Sequence, residues 1–466
     1  MRDAVVVGGG PNGLSAAIRL ADAGVAVRLL ERAEQVGGGV HSAELTLPGH
    51  VHDVCAAAFP LAIGSPWLRT LELERYGLEW VQPELPLAHP LEGDDAVVLH
   101  RSLEETARGL GADGDAWRRL MEPVARHWEA LSRDLLAPLS PPSHPLRMAR
   151  FALDGLRSAR GLAMRRFRGA RARALFGGNA AHAMLPLESA ATAAFGIVLG
   201  ASAHAVGWPL VRGGAGRLAL ALRARLERAG GRIETGVHVR TLEGLGADAV
   251  LLDLTPRQVL AVAGDRLPYA YRRRLERFRY GPAVFKMDWA LSEPIPWRAE
   301  ACRRAGTVHV GGSLEEIAAA EHAAHERRHA ERPFVLVVQP SLFDDRRAPP
   351  GRHTAWAYCH VPFGWTVDMS DAIEAQIERW APGFRDTIRA RSTIDATRLE
   401  AMNPNMVGGH INGGSQDVRQ LFFRPAPRLD PYRTPVPGLW LCSASTPPGG
   451  GVHGMCGYWA AESVLG

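Results

Sequence analysis

The chain has 466 residues, 46% of them hydrophobic, and a formal net charge of +5. That is ample apolar material for a large core in two interleaved domains, and a poor charge balance for a nucleic-acid binder with no recognition motif. The five cysteines (Cys55, Cys302, Cys359, Cys442, Cys456) form no C-x-x-C pair and no zinc spacing. This argues against a dithiol relay or a metal site and suits a reducing cytoplasm.

Ala4-Val5-Val6-Val7 is a short, apolar, β-branched run of the kind a parallel strand covered on both faces requires. It begins almost at Met1, so no leading stretch reads as a signal peptide. Gly8-Gly9-Gly10-Pro11-Asn12-Gly13 turns the chain into a helix that Leu14 to Ile18 continue. Gly8 permits the tight turn, Gly10 lets a pyrophosphate approach the backbone, and Gly13 allows close helix–strand packing. The helix start offers free N–H groups to phosphate. A second strand, Val25 to Leu30, ends on Glu31, where an acid can hold ribose hydroxyls, and Gly37-Gly38-Gly39 follows. A glycine fingerprint alone is also an ordinary turn. With strand, helix and acid in order, it reads as a dinucleotide site.

Residues 76–212 are predicted to be mostly helical. Nine arginines against one acid, Asp154, lie between Arg147 and Arg173, interleaved with Phe151, Leu153, Leu156, Leu162 and Phe167. They read as a basic amphipathic helix pair, either resting on an anionic membrane or presenting a solvated face. Residues 189–211 carry no charge, but alanine, serine, glycine and Pro209 dilute their hydrophobicity, so a buried helix is expected rather than a membrane span. A helix over Leu218 to Arg228, broken at Gly230-Gly231, leads to strands at Val237–Val239 and Ala249–Leu252. A second block, 257–425, carries strands at Ala283–Leu291, Thr307–Val310, Phe334–Gln339 and Thr354–His360.

Lys286 is the only lysine among 54 basic residues. An ammonium retained where arginine serves everywhere else suggests work that a guanidinium cannot do. Period-two alternation sets Val284, Lys286 and Asp288 on one face of their strand and Phe285, Met287 and Trp289 on the other. Pairing with Asp288 is the simpler alternative. Near the C-terminus a strand, Leu439 to Leu441, precedes Gly449-Gly450-Gly451, with a helix expected from about Val452 and His453 beside the loop.

Gly8 to Gly13 with Glu31, the glycines at 37–39, Gly207-Trp208-Pro209, Asn403-Pro404-Asn405 and the segment from Pro437 to Ala461 together resemble the FAD-dependent oxidoreductases of the phytoene desaturase-like and flavin amine oxidase superfamily. The resemblance runs from end to end. It implies an α/β fold: a Rossmann-like FAD-binding domain of glutathione reductase type, with an interleaved α+β substrate domain. The FAD domain would comprise 1–75, 213–256 and 426–466, and the substrate domain 76–212 and 257–425. The resemblance assigns FAD contacts to Gly8, Gly10, Pro11, Asn12, Gly13, Glu31, Arg32, Gly37, Gly38 and Gly39. It assigns further contacts to Val239 through its backbone and to Ala444, Gly450, Gly451, Val452 and Met455. Lys286 would hold water or oxygen at the flavin, and His453 would donate to the flavin or to a substrate carbonyl. His182, His204, Trp208, Trp289 and Trp365 become substrate-site candidates, although core packing explains the tryptophans equally.

Two positions depart from the pattern. Gly451 stands where many amine oxidases carry a cage aromatic, and Ser443-Ala444 replaces the usual Gly-Asp pair. The reading is therefore a dehydrogenase or desaturase that removes a hydride and a proton from a mostly apolar substrate, its flavin re-oxidised by oxygen or quinone. A flavin amine oxidase, a redox-neutral flavin isomerase and a non-catalytic prenyl-binding relative are the alternatives. A lipophilic small molecule is the expected partner, with no nucleic acid and no metal; the expected setting is cytoplasmic, and membrane-peripheral if the segment Arg147 to Arg173 rests on a bilayer.

Overall fold

A computed structural model describes residues 1–466. Five parallel strands form one sheet, in the order Leu439–Leu441, Ala249–Leu252, Asp3–Val7, Ala26–Leu30 and Arg232–Glu234. The apolar alternation of these strands feeds two separate cores. Ala4, Val6 and Leu251 pack under the helices Pro11–Asp22 and Gly216–Arg228, while Val5, Val7 and Leu252 pack under Pro256–Ala263 and Tyr269–Glu276. A strand buried on both faces is apolar throughout for this reason.

The second sheet has seven strands: Ile388–Ile394, Ala283–Leu291, His353–Val361, Val335–Val338, Ala305–Val310, Leu85–Pro90 and Ala96–Leu99. Neighbours run antiparallel except Ala305–Val310 with Leu85–Pro90. All nine residues of Ala283–Leu291 are buried. Phe285, Met287 and Trp289 face a core shared with the helix Ser370–Trp380, and Val284 faces the helical layer.

Four expectations need correction. The strand predicted at Val237–Val239 lies instead at Arg232–Glu234, and Val237–Val239 is irregular backbone. The last helix begins at Met455, not near Val452, because Gly454 adopts φ 69°, a left-handed turn that breaks the helix before it. The basic segment folds as three helices, Pro145–Gly155, Ala159–Arg166 and Ala170–Ala180, rather than a pair. The 76–212 block, read as helical, also donates Leu85–Pro90 and Ala96–Leu99 to the substrate sheet. The two prolines in Leu85–Pro90 hide its β character, and its place against a parallel neighbour is set only in three dimensions.

The helices Pro11–Asp22 and Met455–Leu465 cross at very close range. A Cβ on Gly457 would fall inside the carbonyl oxygen of Asn12, and one on Gly454 would fall on Ser15 Oγ. Gly457→Ala is therefore expected to destabilise the protein by about 1–3 kcal/mol through overpacking. Gly109→Ala, at a helical glycine with open space around it, serves as the neutral control. Thermal unfolding of the two variants beside the parent protein checks this; equal melting temperatures would show that the crossing tolerates a methyl group.

Candidate dinucleotide and substrate site

A cavity of about 1050 Å³ runs from the carboxyl ends of the parallel strands to the face of the seven-stranded sheet. Ligand crevices in open α/β sheets lie at this end of the strands. At its outer end stand Glu31, Arg32, Glu34 and the backbone of Val237 to Arg240. Glu31 is fixed by its own loop: Gly9 N–H donates to Oε2 at 2.6 Å and Ala33 N–H to Oε1 at 2.8 Å. Gly8, Gly10, Pro11 and Asn12 form the next stretch of wall, facing Gly38 and Gly39. The Oδ1 of Asn12 is buried there with no partner. Further in, Asn412, Gly413, Ala444, Gly451 and Val452 line one side, and the amides of Gly451 and Val452 find no acceptor within the chain.

These features fit FAD. There is an elongated cleft with an acid at its ribose end, glycines that allow backbone approach, and free amides where a polar ring edge would lie. Gly13 and Gly37 do not reach the cavity. Gly13 packs on Gly8 beneath the loop, and Gly37 N–H ties the loop to the Gly9 carbonyl at 2.8 Å. Gly450 and Met455 likewise stand behind the wall, Gly450 against Asn412.

The inner half of the cavity is floored by Val284, Lys286, Thr307, Leu336, Val338, Trp356 and Tyr358 from the sheet and roofed by His182, Met184, Leu199 and Trp208. Lys286 is buried, donates to Asp288 and lies over the Trp356 ring, 5.6 Å from its centroid. The lysine is therefore ion-paired, as the simpler alternative has it, and also lines the cavity. Asp288 in turn stands 3.4 Å from His52 Nδ1. His182 places Nε2 at 3.2 Å from Nε2 of His309, and burial pulls its pKa down to about 3. Trp208 Nε1 donates to Thr307 Oγ1 at 3.0 Å.

Several expected residues lie elsewhere. His453 does not line the cavity: its Nδ1 accepts from Met455 N–H at 3.0 Å, capping the last helix, and its carbonyl accepts from Ser65 Oγ. Buried behind the wall, it is not placed to donate into the cleft as expected. His204 accepts from Trp117 Nε1 in the helical layer. Trp289 lies on the far side of its strand, donating to Glu374 at 3.0 Å, and Trp365 packs at the margin of the same core. Period-two alternation along its strand already sets Trp289 opposite Lys286.

Two buried charges were not foreseen. Arg424 is fully buried and donates only to carbonyls, of Gly414 and Ser415 at 3.0 Å and Ala444 at 3.1 Å, which shapes the wall where the family's Gly-Asp pair is missing. Asp253 follows the strand Ala249–Leu252 and accepts from Gly13 N–H at 2.9 Å, at the N-terminus of the glycine-loop helix. A charged residue directly after an apolar parallel strand falls at the ligand edge of the sheet, a signal legible in the sequence. Burial, with Glu31 nearby, raises its pKa to about 7.

Asp253 is neutral below that value and anionic above it, and a pyrophosphate at the glycine loop would be repelled by the anion. Affinity for a dinucleotide should therefore weaken as pH rises through about 7, with one proton linked and a limiting slope of about tenfold per unit. Asp253→Asn should flatten the profile. Calorimetric titration of the cofactor-free protein across pH checks this; parallel profiles for the two proteins would remove Asp253 from binding.

A Rossmann-like NAD(P)-binding domain model matches residues 6–72. Pyridine nucleotide-disulfide oxidoreductase domain-containing protein 2 of Mus musculus is 27% identical, over 99% of this chain and 93% of its own. Hydroxyneurosporene desaturase of Cereibacter sphaeroides is 27% identical, over 99% and 97%. A solved structure of putrescine oxidase bound to putrescine aligns with a TM-score of 0.64 and 17% identity, covering 100% of this chain and 99% of that one, a likeness of fold alone. With the cleft described above, these likenesses support an FAD-dependent oxidoreductase, similar over its whole length to the desaturases of the phytoene desaturase-like superfamily.

Proposed function

We propose that the protein is a dehydrogenase or desaturase of a mostly apolar organic substrate. The observation that carries this is the charge inventory of the cavity. Its acids are Glu31, Glu34 and Asp253, all at the dinucleotide end, and the inner half has apolar walls with one cation, Lys286, already neutralised by Asp288. A substrate ammonium would find no carboxylate there, and Gly451 leaves the cage position open. An apolar chain or ring would bury its surface against Met184, Leu199, Val284, Leu336 and Val338.

Bound FAD would supply the two-electron acceptor, passing those electrons on to oxygen or a quinone. The chain's own residues do the rest. The apolar walls exclude water and hold the reacting C–H bond in place. Loss of a hydride and of a proton from neighbouring carbons creates the double bond, and the proton needs an uncharged acceptor. In this reading His182, on the cavity roof and hydrogen-bonded to His309, relays that proton outward, since burial leaves it too weak a base to keep it. Lys286 holds a water molecule against the floor, with Asp288 fixing its ammonium.

Anaerobic mixing of the loaded enzyme with a panel of lipophilic candidates and of amines tests the reading. Bleaching by an apolar substrate supports it, and bleaching by amines alone overturns it. His182→Gln should slow that bleaching by about 10²-fold, the usual contribution of a positioned proton-transfer group, with little change in FAD content. Lys286→Met with Asp288→Asn, which avoids stranding a buried carboxylate, should slow re-oxidation or substrate oxidation while retaining FAD. Unchanged rates in both half-reactions would remove the lysine from the mechanism.

A further inference from the structure

We propose that the outer face of the helical layer is a docking surface for an anionic lipid bilayer, centred on a groove that takes an acidic phospholipid headgroup. Five of the fourteen exposed large hydrophobic residues fall between positions 139 and 164: Leu139, Leu146, Leu153, Leu156 and Met164. Leu146 is 87% exposed, Leu153 71% and Leu139 65%. On the helix Pro145–Gly155, Leu146 and Leu153 are seven residues apart, and Ala149 and Arg150 lie between them on the same outward stripe. The opposite face is turned inward, where Phe151 and Gly155 meet Ala194 of the helix Thr192–Val206. An interior leucine face is ordinary. A leucine face in water next to unpaired arginines calls for a partner.

The groove beside this helix, about 420 Å³, supplies the charge complementarity. Arg119, Arg126, Arg147 and Arg150 stand around it, over a floor that includes Leu120, Val124 and Ile197. Its acids are Glu122 and Asp154, and Asp154 is taken by Arg166 at 2.6 Å. His127 completes the titratable groups on its wall. Unpaired guanidinium groups over an apolar floor suit a phosphate attached to an acyl glycerol, and the flanking leucines are placed to enter the acyl boundary.

The position also matters. Ile197 lines this groove and Leu199, two residues along the same helix and on its other side, lines the inner half of the main cavity. A bilayer seated here therefore lies one helix diameter, about 10 Å, from the substrate chamber. The docking surface does not depend on the desaturase reading, since it is built from exposed groups outside the cavity.

Co-sedimentation of the full-length, FAD-loaded protein with vesicles tests the proposal. Vesicles of phosphatidylcholine with phosphatidylglycerol should bind the protein, less so at high salt, while vesicles of phosphatidylcholine alone should not. Leu146→Glu with Leu153→Glu, and separately Arg147→Glu with Arg150→Glu, should each weaken binding by about tenfold or more. Flavin content and melting temperature should be unchanged, because all four side chains are exposed. Leu429→Glu, an exposed leucine elsewhere, should have no effect. Absence of binding to the anionic vesicles, or equal binding by all variants, overturns the proposal. So would a concentration-dependent dimer of the parent protein that the leucine variants abolish, which would mark the face as a contact between copies of this chain.

Discussion

Contact between the first helix and the last is the constraint on which the site rests. Gly457 lies so close to Asn12 that the backbones of Pro11–Asp22 and Met455–Leu465 touch without intervening side chains. That proximity sets Gly451 and Val452 across the same cleft as Gly8 to Asn12, although more than four hundred residues separate them. The loop between Gly449 and Gly454 has little freedom to reposition itself, since Ser65 holds the His453 carbonyl and His453 caps the helix behind it. A cleft assembled from both ends of a chain has no local source of stability. Tight packing of the two helices supplies it.

A second link ties the connection after the strand Val335–Val338 to the strand Val51–Asp53 and to the segment around Val211. Arg347, fully buried, donates to Asp344 at 2.9 Å, to Asp53 at 3.0 Å and to the Val211 carbonyl at 3.1 Å. Asp53 also accepts from Ser42 Oγ and Ala215 N–H, and Asp344 from Gly213 N–H. Each carboxylate thus has several donors, the condition under which a buried ion cluster is tolerated. One consequence is positional: Val54 to Ala58, which follow Asp53 directly, line the cavity. Burial in that setting pushes the Cys55 thiol up to about 11, so it lies there as a neutral, unreactive wall.

The buried charges divide the cavity by function. Acids gather at the outer end, where Glu31 is held by backbone amides and burial raises the pKa of Asp253 to about 7. Lys286 and Asp288 pair with one another at the inner end, leaving apolar side chains as most of its wall. Arg424 sits behind the glycine loop with carbonyls for partners, and burial lowers its pKa only to about 10, so it remains a cation at neutral pH. Its guanidinium donates to the carbonyl of Ala444, the residue that stands at the acid's position in the resembled proteins.

Local sequence determined the parts whose physics is local. The strand Ala4–Val7, the glycine turn, the strand ending on Glu31 and the strand Ala283–Leu291 follow from periodicity and glycine chemistry alone, and the resemblance over the glycine segments named the cofactor. The edge strand Ile388–Ile394, with its alternating arginines and half-buried pattern, was not legible, nor was the interior strand Leu85–Pro90, because the partners Ala283–Leu291 and Ala305–Val310 lie far away in the chain. Alternation within its own strand sets Trp289 apart from Trp208, but nothing in sequence separates His182 from His204, the same residue type in the same helical block. Only the tertiary structure decided which face each helix and strand turned to the cavity. Side-chain direction is set by packing between distant elements, whereas a turn or an amphipathic period is set by the residues within it.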